Sequence, residues 1–128
     1  MRIGSVEKFE KMLPEPRGFS TVDIDEPRVA GVTRTVPEHS VIRDAVMLAC
    51  RAPSVHNSQP WLWGAEGMAL HLFANPKRLL RITDRTGREM LLSCGAVLDH
   101  LNVAMAAQGW RTAVDRFPEA DGHDHLAT

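Results

Sequence analysis

The chain has 128 residues, 44% of them hydrophobic, which is enough for one domain with a core and too little for two. Its 15 basic and 16 acidic residues leave a net charge of −1, so no positive field gathers nucleic acid or anionic lipid. Charges occupy Met1 to Glu10 where a signal peptide needs an apolar run, and no stretch reads as long enough to cross a bilayer, which points to the cytoplasm.

Residues 1–37 are dense in charge and broken by Pro14, Pro16, Pro27 and Pro37, so they read as a covering or flexible arm. Ser5 to Leu13 is the exception, a short amphipathic helix through Val6, Phe9 and Leu13. The folded domain is expected over residues 38–128. From about Glu38 to Arg51 the apolar positions Val41, Ile42, Ala45, Val46, Leu48 and Ala49 recur at helical spacing. Pro37 suits the first turn of that helix, and Arg51 suits the negative end of its dipole.

The helix runs into Ala52-Pro53-Ser54-Val55-His56-Asn57-Ser58-Gln59-Pro60-Trp61. Pro53 pushes Ala52 out of the helical region and Pro60 starts an extended segment, so two prolines bracket five polar side chains. Asn57 and Gln59 each donate and accept hydrogen bonds, and Ser54 adds a hydroxyl. Such a set suits the edge of a flat heteroaromatic ring better than a metal or a bare phosphate. The residues alone leave a second reading open, a packed turn whose amides cap the preceding helix. His56 either meets a ligand or bonds a backbone carbonyl.

Trp61 to Gly64 and Met68 to Ala74 read as two strands of a hairpin turned at Ala65-Glu66-Gly67, with Gly67 supplying positive φ. Trp61 and Trp63 are expected in core and sheet. Thr86 and Glu89 fit a capping box, with Asp84 a competing cap, ahead of a helix reaching about Gln108. That helix is apolar around most of its circumference and is expected to be buried on all sides, which implies a dimer or larger species. Gly109 stops it, and Trp110 to Phe117 reads as a further strand.

Cys50 and Cys94 lie in apolar helical patterns and read as buried free thiols. His123 and His125, among Asp121 and Asp124, read as a solvated tail and not as metal ligands. Arg85 and Arg88 stand near a helix start, where they either reach a phosphate or pair with Asp84 and Glu89. No G-x-G-x-x-G and no Walker loop occurs. The order helix, hairpin, helix, strand gives an α+β class with an incomplete sheet.

Ala52-Pro53-Ser54, Asn57 and Gln59-Pro60-Trp61 resemble the A-P-S-x-x-N-x-Q-P-W signature of the nitroreductase-like FMN flavoproteins. With His56, Thr83-Asp84-x-x-Gly87-Arg88-Glu89 and Ser93-Cys94-Gly95-Ala96, the chain is similar to the Acg branch of mycobacteria and related actinobacteria, from about Val41 to Ala127. The resemblance implies a partial nitroreductase-like fold, the N-terminal portion of such a domain. It also implies an FMN cofactor lined by Pro53, Ser54, Asn57 and Gln59 at a two-fold or pseudo-two-fold seam.

The implied activity is hydride transfer from NAD(P)H through the flavin to a nitroaromatic or quinone-like acceptor. The implied partners are a second copy or a complementing chain. The R-R-S-x-R segment that grips the FMN phosphate in many relatives has no counterpart before Glu38. Two alternatives stand beside the enzyme: a protein that sequesters FMN without turnover, and a shortened, cofactor-free dimerisation module.

Overall fold

Glu38 is extended (φ −61°, ψ 152°) and caps α1, His39–Ala49, which places Pro37 outside the helix and not in its first turn. Ala45, Val46 and Ala49 form the buried stripe of α1, while Met47 and Leu48 face outward. The computed structural model describes residues 36–119, 122 and 124–128. The expected arm therefore lies outside the described residues except for Val36 and Pro37.

After the bracketed loop come β1, Trp61–Glu66, and β2, Ala69–Ala74, paired antiparallel from Trp61 opposite Ala74 to Glu66 opposite Ala69. The turn falls at Gly67 and Met68, with Gly67 at φ 57°, so β1 runs two residues further than the sequence pattern indicates. A short 3₁₀ turn, Pro76–Arg78, follows; Asn75 opens it by accepting from Lys77 N–H at 3.2 Å.

α2, Arg88–Ala107, starts differently from expectation. Gly87 takes the N-cap at φ 74°, so the Thr86–Glu89 capping box does not form. Asp84, 4% exposed, supplies the cap instead by accepting from Met90 N–H at 2.8 Å. The far end follows the sequence closely. Gly109 at φ 83° donates to Ala106 O at 2.9 Å and Trp110 donates to Met105 O at 3.0 Å, the paired bonds of a Schellman stop.

The expectation that α2 is buried all round is corrected. Ser93, Cys94, Val97, Leu101, Ala104 and Met105 are buried, but Leu92 and Val103 are 58% and 62% exposed. An apolar circumference cannot be covered by one neighbouring helix and one side of a hairpin. At 20 residues α2 is long and apolar enough to cross a membrane, contrary to the sequence reading, yet it packs here on α1 and β2 as a core helix.

The third strand is not the expected one. β3 is His125–Ala127, antiparallel to β2, giving the order β1-β2-β3. Trp110 to Phe117 contributes only a bridge at Arg116 to Ala127, with Asp115 and Thr128 exchanging two backbone bonds of 2.8 Å. Its apolar residues Trp110, Ala113, Val114 and Phe117 do not alternate, so no single face is available to bury. The solvated tail expected at His123 and His125 is likewise corrected at His125, which is buried. The core lies between α1, α2 and the hairpin, around Trp61, Leu72, Val46 and Val97.

Candidate functional site

The bracketed loop is held by every element around it. α1 ends in successive bonds from Arg51 N–H to Leu48 O (3.1 Å) and Ala52 N–H to Ala49 O (2.9 Å), and Ala52 is buried beneath the loop. Ser54 is extended, and Val55–Asn57 then forms one 3₁₀ turn, closed by Asn57 N–H to Ser54 O and Ser58 N–H to Val55 O, both 3.0 Å.

Within and just after this turn His56, Asn57 and Gln59 lie at φ 48°, 53° and 47°. Asn tolerates the left-handed region; His and Gln adopt it only where surrounding contacts hold them, at about 1–3 kcal/mol each. The contacts are present. Ser54 Oγ accepts from Gln59 N–H at 3.0 Å, and Arg78 Nη1 donates to both Ser58 O (3.2 Å) and Gln59 O (3.1 Å). From α2, Ser93 Oγ accepts from Val55 N–H at 3.4 Å and donates to Glu89 O at 2.8 Å. At the exit, Pro60 O accepts from Asn75 N–H at 2.9 Å and from the Cys94 thiol at 3.4 Å.

The four residues expected to line a cofactor therefore divide. Ser54 uses its hydroxyl oxygen to bind Gln59's backbone, and Gln59 Nε2 donates to Cys50 O at 3.4 Å, so both spend part of their polarity on the loop itself. Pro53, His56 and Asn57 are exposed, and the Asn57 carboxamide bonds to no side chain or backbone group among the described residues. The arrangement is a rigid ridge with one free amide, one partly free amide and a proline at its crest. Among the described residues it is not a closed pocket.

A groove of about 630 Å³ does exist, among Ile42, Trp63, Leu70, Leu101, Met105 and Val114, but none of Pro53, Ser54, Asn57 or Gln59 lines it. Sequence reasoning missed Arg78 altogether. Its only signal is a basic residue just after Asn75-Pro76, and nothing in that pattern marks two carbonyls 19 and 20 residues away as its partners. Arg85 and Arg88 are exposed, and neither makes an ion pair with a described residue.

The thiols behind the loop match expectation: Cys50 and Cys94 are free and buried. Burial pushes the Cys94 thiol up to about 12. Burial also raises Cys50, partly offset by the indole N–H groups of Trp61 and Trp63. Those indoles reach no full hydrogen bond, since neither nitrogen has a partner among the described residues. Both thiols stay protonated at neutral pH and serve as packing, not as nucleophiles.

No family model matches the chain. Curated relatives do. A Mycobacterium tuberculosis protein provisionally named NAD(P)H nitroreductase Acg is 55% identical over 94 residues, which cover 73% of this chain and 28% of the relative. A second protein of that organism, also provisionally named an NAD(P)H nitroreductase, is 44% identical over 108 residues, 84% of this chain and 31% of its own length. An uncharacterised third is 52% identical over 92 residues, 69% of this chain and 27% of its own length. The chain thus spans about 30% of the curated relatives it matches.

Proposed function

The chain is a relative, over about 30% of their length, of the Acg-type nitroreductase-like proteins, and on that footing we propose that it supplies one wall of an FMN site in a nitroreductase-type oxidoreductase. The observation that carries the reading is the loop itself: three left-handed, non-glycine residues braced from α1, α2 and the Pro76–Arg78 turn, with the exposed Asn57 carboxamide unpartnered among the described residues. Strain of this kind persists where a surface has to be presented in one shape.

The residues fit the ring of a flavin and not its phosphate. Exposed Asn57 and half-buried Gln59 carry a donor and an acceptor for a heteroaromatic edge, Pro53 offers an apolar edge, and the Ser54–Gln59 bond fixes their spacing. FMN, when bound, supplies the hydride chemistry between NAD(P)H and a nitroaromatic or quinone-like acceptor. The chain's own part is to hold the ridge rigid, to orient the ring by Asn57 and Gln59, and to exclude water from its edge.

An open ridge needs a second wall. Leu92 and Val103 of α2 and Met47 and Leu48 of α1 are exposed apolar residues on neighbouring helices, and a second copy of the chain laid across them would cover that surface and close the site. The domain so formed is read as nitroreductase-like over residues 38–128, working in the cytoplasm.

FMN titration of the purified chain tests the reading. The expected result is quenched flavin fluorescence and a yellow protein after gel filtration, bleached by NADPH. Colour without bleaching converts the proposal to FMN sequestration. A folded chain that stays colourless in excess FMN overturns both and leaves the cofactor-free dimerisation module.

A further inference from the structure

A second polar cluster among the described residues lies on one face of the sheet, away from the loop. β2 and β3 pair with Phe73 opposite His125, and Leu72 opposite Ala127, so one step along β2 spans two along β3. This is a bulge at Leu126. Without it, His125 and Thr128, three residues apart, would point to opposite faces. With it, the continued register sets Thr128 opposite His71, and His71, Phe73, His125 and Thr128 share a face.

Three donor atoms meet there. His71 Nδ1 is 3.2 Å from His125 Nε2 and 3.1 Å from Thr128 Oγ1, and Thr128 Oγ1 is 3.1 Å from His125 Nε2. They form a nearly equilateral triangle. A tetrahedral ion with bonds of about 2.0 Å holds its ligand atoms about 3.3 Å apart and, with each ring along its own bond, sets two imidazole centres about 5.1 Å apart. A hydrogen bond of the observed length sets those centres about 5.5 Å apart when straight and closer when bent, so the spacing fits an ion and a bent hydrogen bond alike. The centres are 5.1 Å apart.

The shell behind these atoms has matching chemistry. His125 Nδ1 lies 3.2 Å from Glu119 Oε1, so the carboxylate takes the Nδ1 proton and leaves the Nε2 lone pair for the triangle. Phe73 stacks on the His125 ring at 4.5 Å and shields it, and two backbone bonds of 2.8 Å to Asp115 fix Thr128. His125 itself is 6% exposed while His71 is half-buried, which leaves one side open for a water as fourth ligand.

We propose that His71, His125 and Thr128 form a binding site for a divalent ion of the zinc, nickel or copper kind, with Glu119 as the positioning residue for His125. Two imidazole nitrogens select these ions over calcium and magnesium. One neutral hydroxyl in place of a third imidazole makes the site moderate in affinity and its ion exchangeable. The site is independent of the flavin reading, since no residue of the bracketed loop contributes to it.

The test is titration of the purified chain with Zn²⁺ against a chromophoric competitor, and with Cu²⁺ followed by electron paramagnetic resonance. One equivalent should bind, with two imidazole nitrogens in the Cu²⁺ signal. His71→Phe should abolish binding with the circular dichroism unchanged. Glu119→Gln, at an exposed carboxylate whose loss leaves the fold intact, should weaken it about 10-fold. Absence of saturable binding by the wild-type chain overturns the proposal, and so does binding that is the same in wild type, His71→Phe and Glu119→Gln.

Discussion

The bracketed loop and the histidine face of the sheet are both polar clusters on a small apolar body, and they are built in opposite ways. The loop draws its residues from one contiguous stretch and spends backbone strain to hold them, with φ between 47° and 53° at three non-glycine positions. The histidine face draws its members from positions as far apart as His71 and Thr128 and uses one extra residue in β3 to bring them to the same side. A contiguous site is visible as a motif; a site assembled across strands appears only once register is known.

The sharpest way to break this contrast is at the joint between the two regions. Trp61 ends the loop, opens β1 and is fully buried, so Trp61→Ala should cost about 3–5 kcal/mol and disturb both clusters together. Denaturant unfolding measures the loss; a cost under 1 kcal/mol would mean that the core does not couple them. Arg78→Ala separates the regions. Removing a guanidinium that serves two carbonyls should cost about 2 kcal/mol and speed hydrogen exchange at Asn57, Ser58 and Gln59 while leaving the His71 and His125 ring resonances in place.

A third effect is confined to alkaline solution. The Cys94 thiol, which donates to Pro60 O, is raised from 9.0 to about 12 by burial. A folded value above the unfolded one means that the native state keeps a proton the unfolded chain has lost. The stability it contributes is full below about pH 9 and is lost toward pH 12, at about 1.4 kcal/mol per pH unit. Cys94→Ala should flatten that part of the alkaline stability profile, and an unchanged slope would count against the buried thiol.

Much of the fold was legible in the sequence for a physical reason: α1, the hairpin and the glycine stop of α2 are set by local periodicity and by turn residues. Gly109 does what its position indicates, and Gly67 supplies the expected positive φ in a turn that starts two residues later than the pattern places it. The failures are tertiary. Asp84 outcompetes Thr86 as a cap because Gly87, not Thr86, occupies the N-cap, and a three-residue strand such as His125–Ala127 is too short to show alternation.

The same division holds for the candidate site. Its place between α1 and β1 follows from the two prolines and the polar run between them, whereas its support from α2 through Ser93 does not. That Ser54 and Gln59 would turn part of their polarity inward, and that Arg78 would clamp the loop from outside, depends on backbone conformations no motif records. The apolar surface of α2 also misleads, because one side of the helix stays open in the single chain.

The most direct measurement is amide hydrogen exchange of the chain with and without excess FMN, resolved residue by residue. The account predicts added protection concentrated from Ser54 to Gln59, largely removed by Asn57→Ala, with His71 and His125 amides unaffected. Identical exchange across that segment in both samples would contradict it.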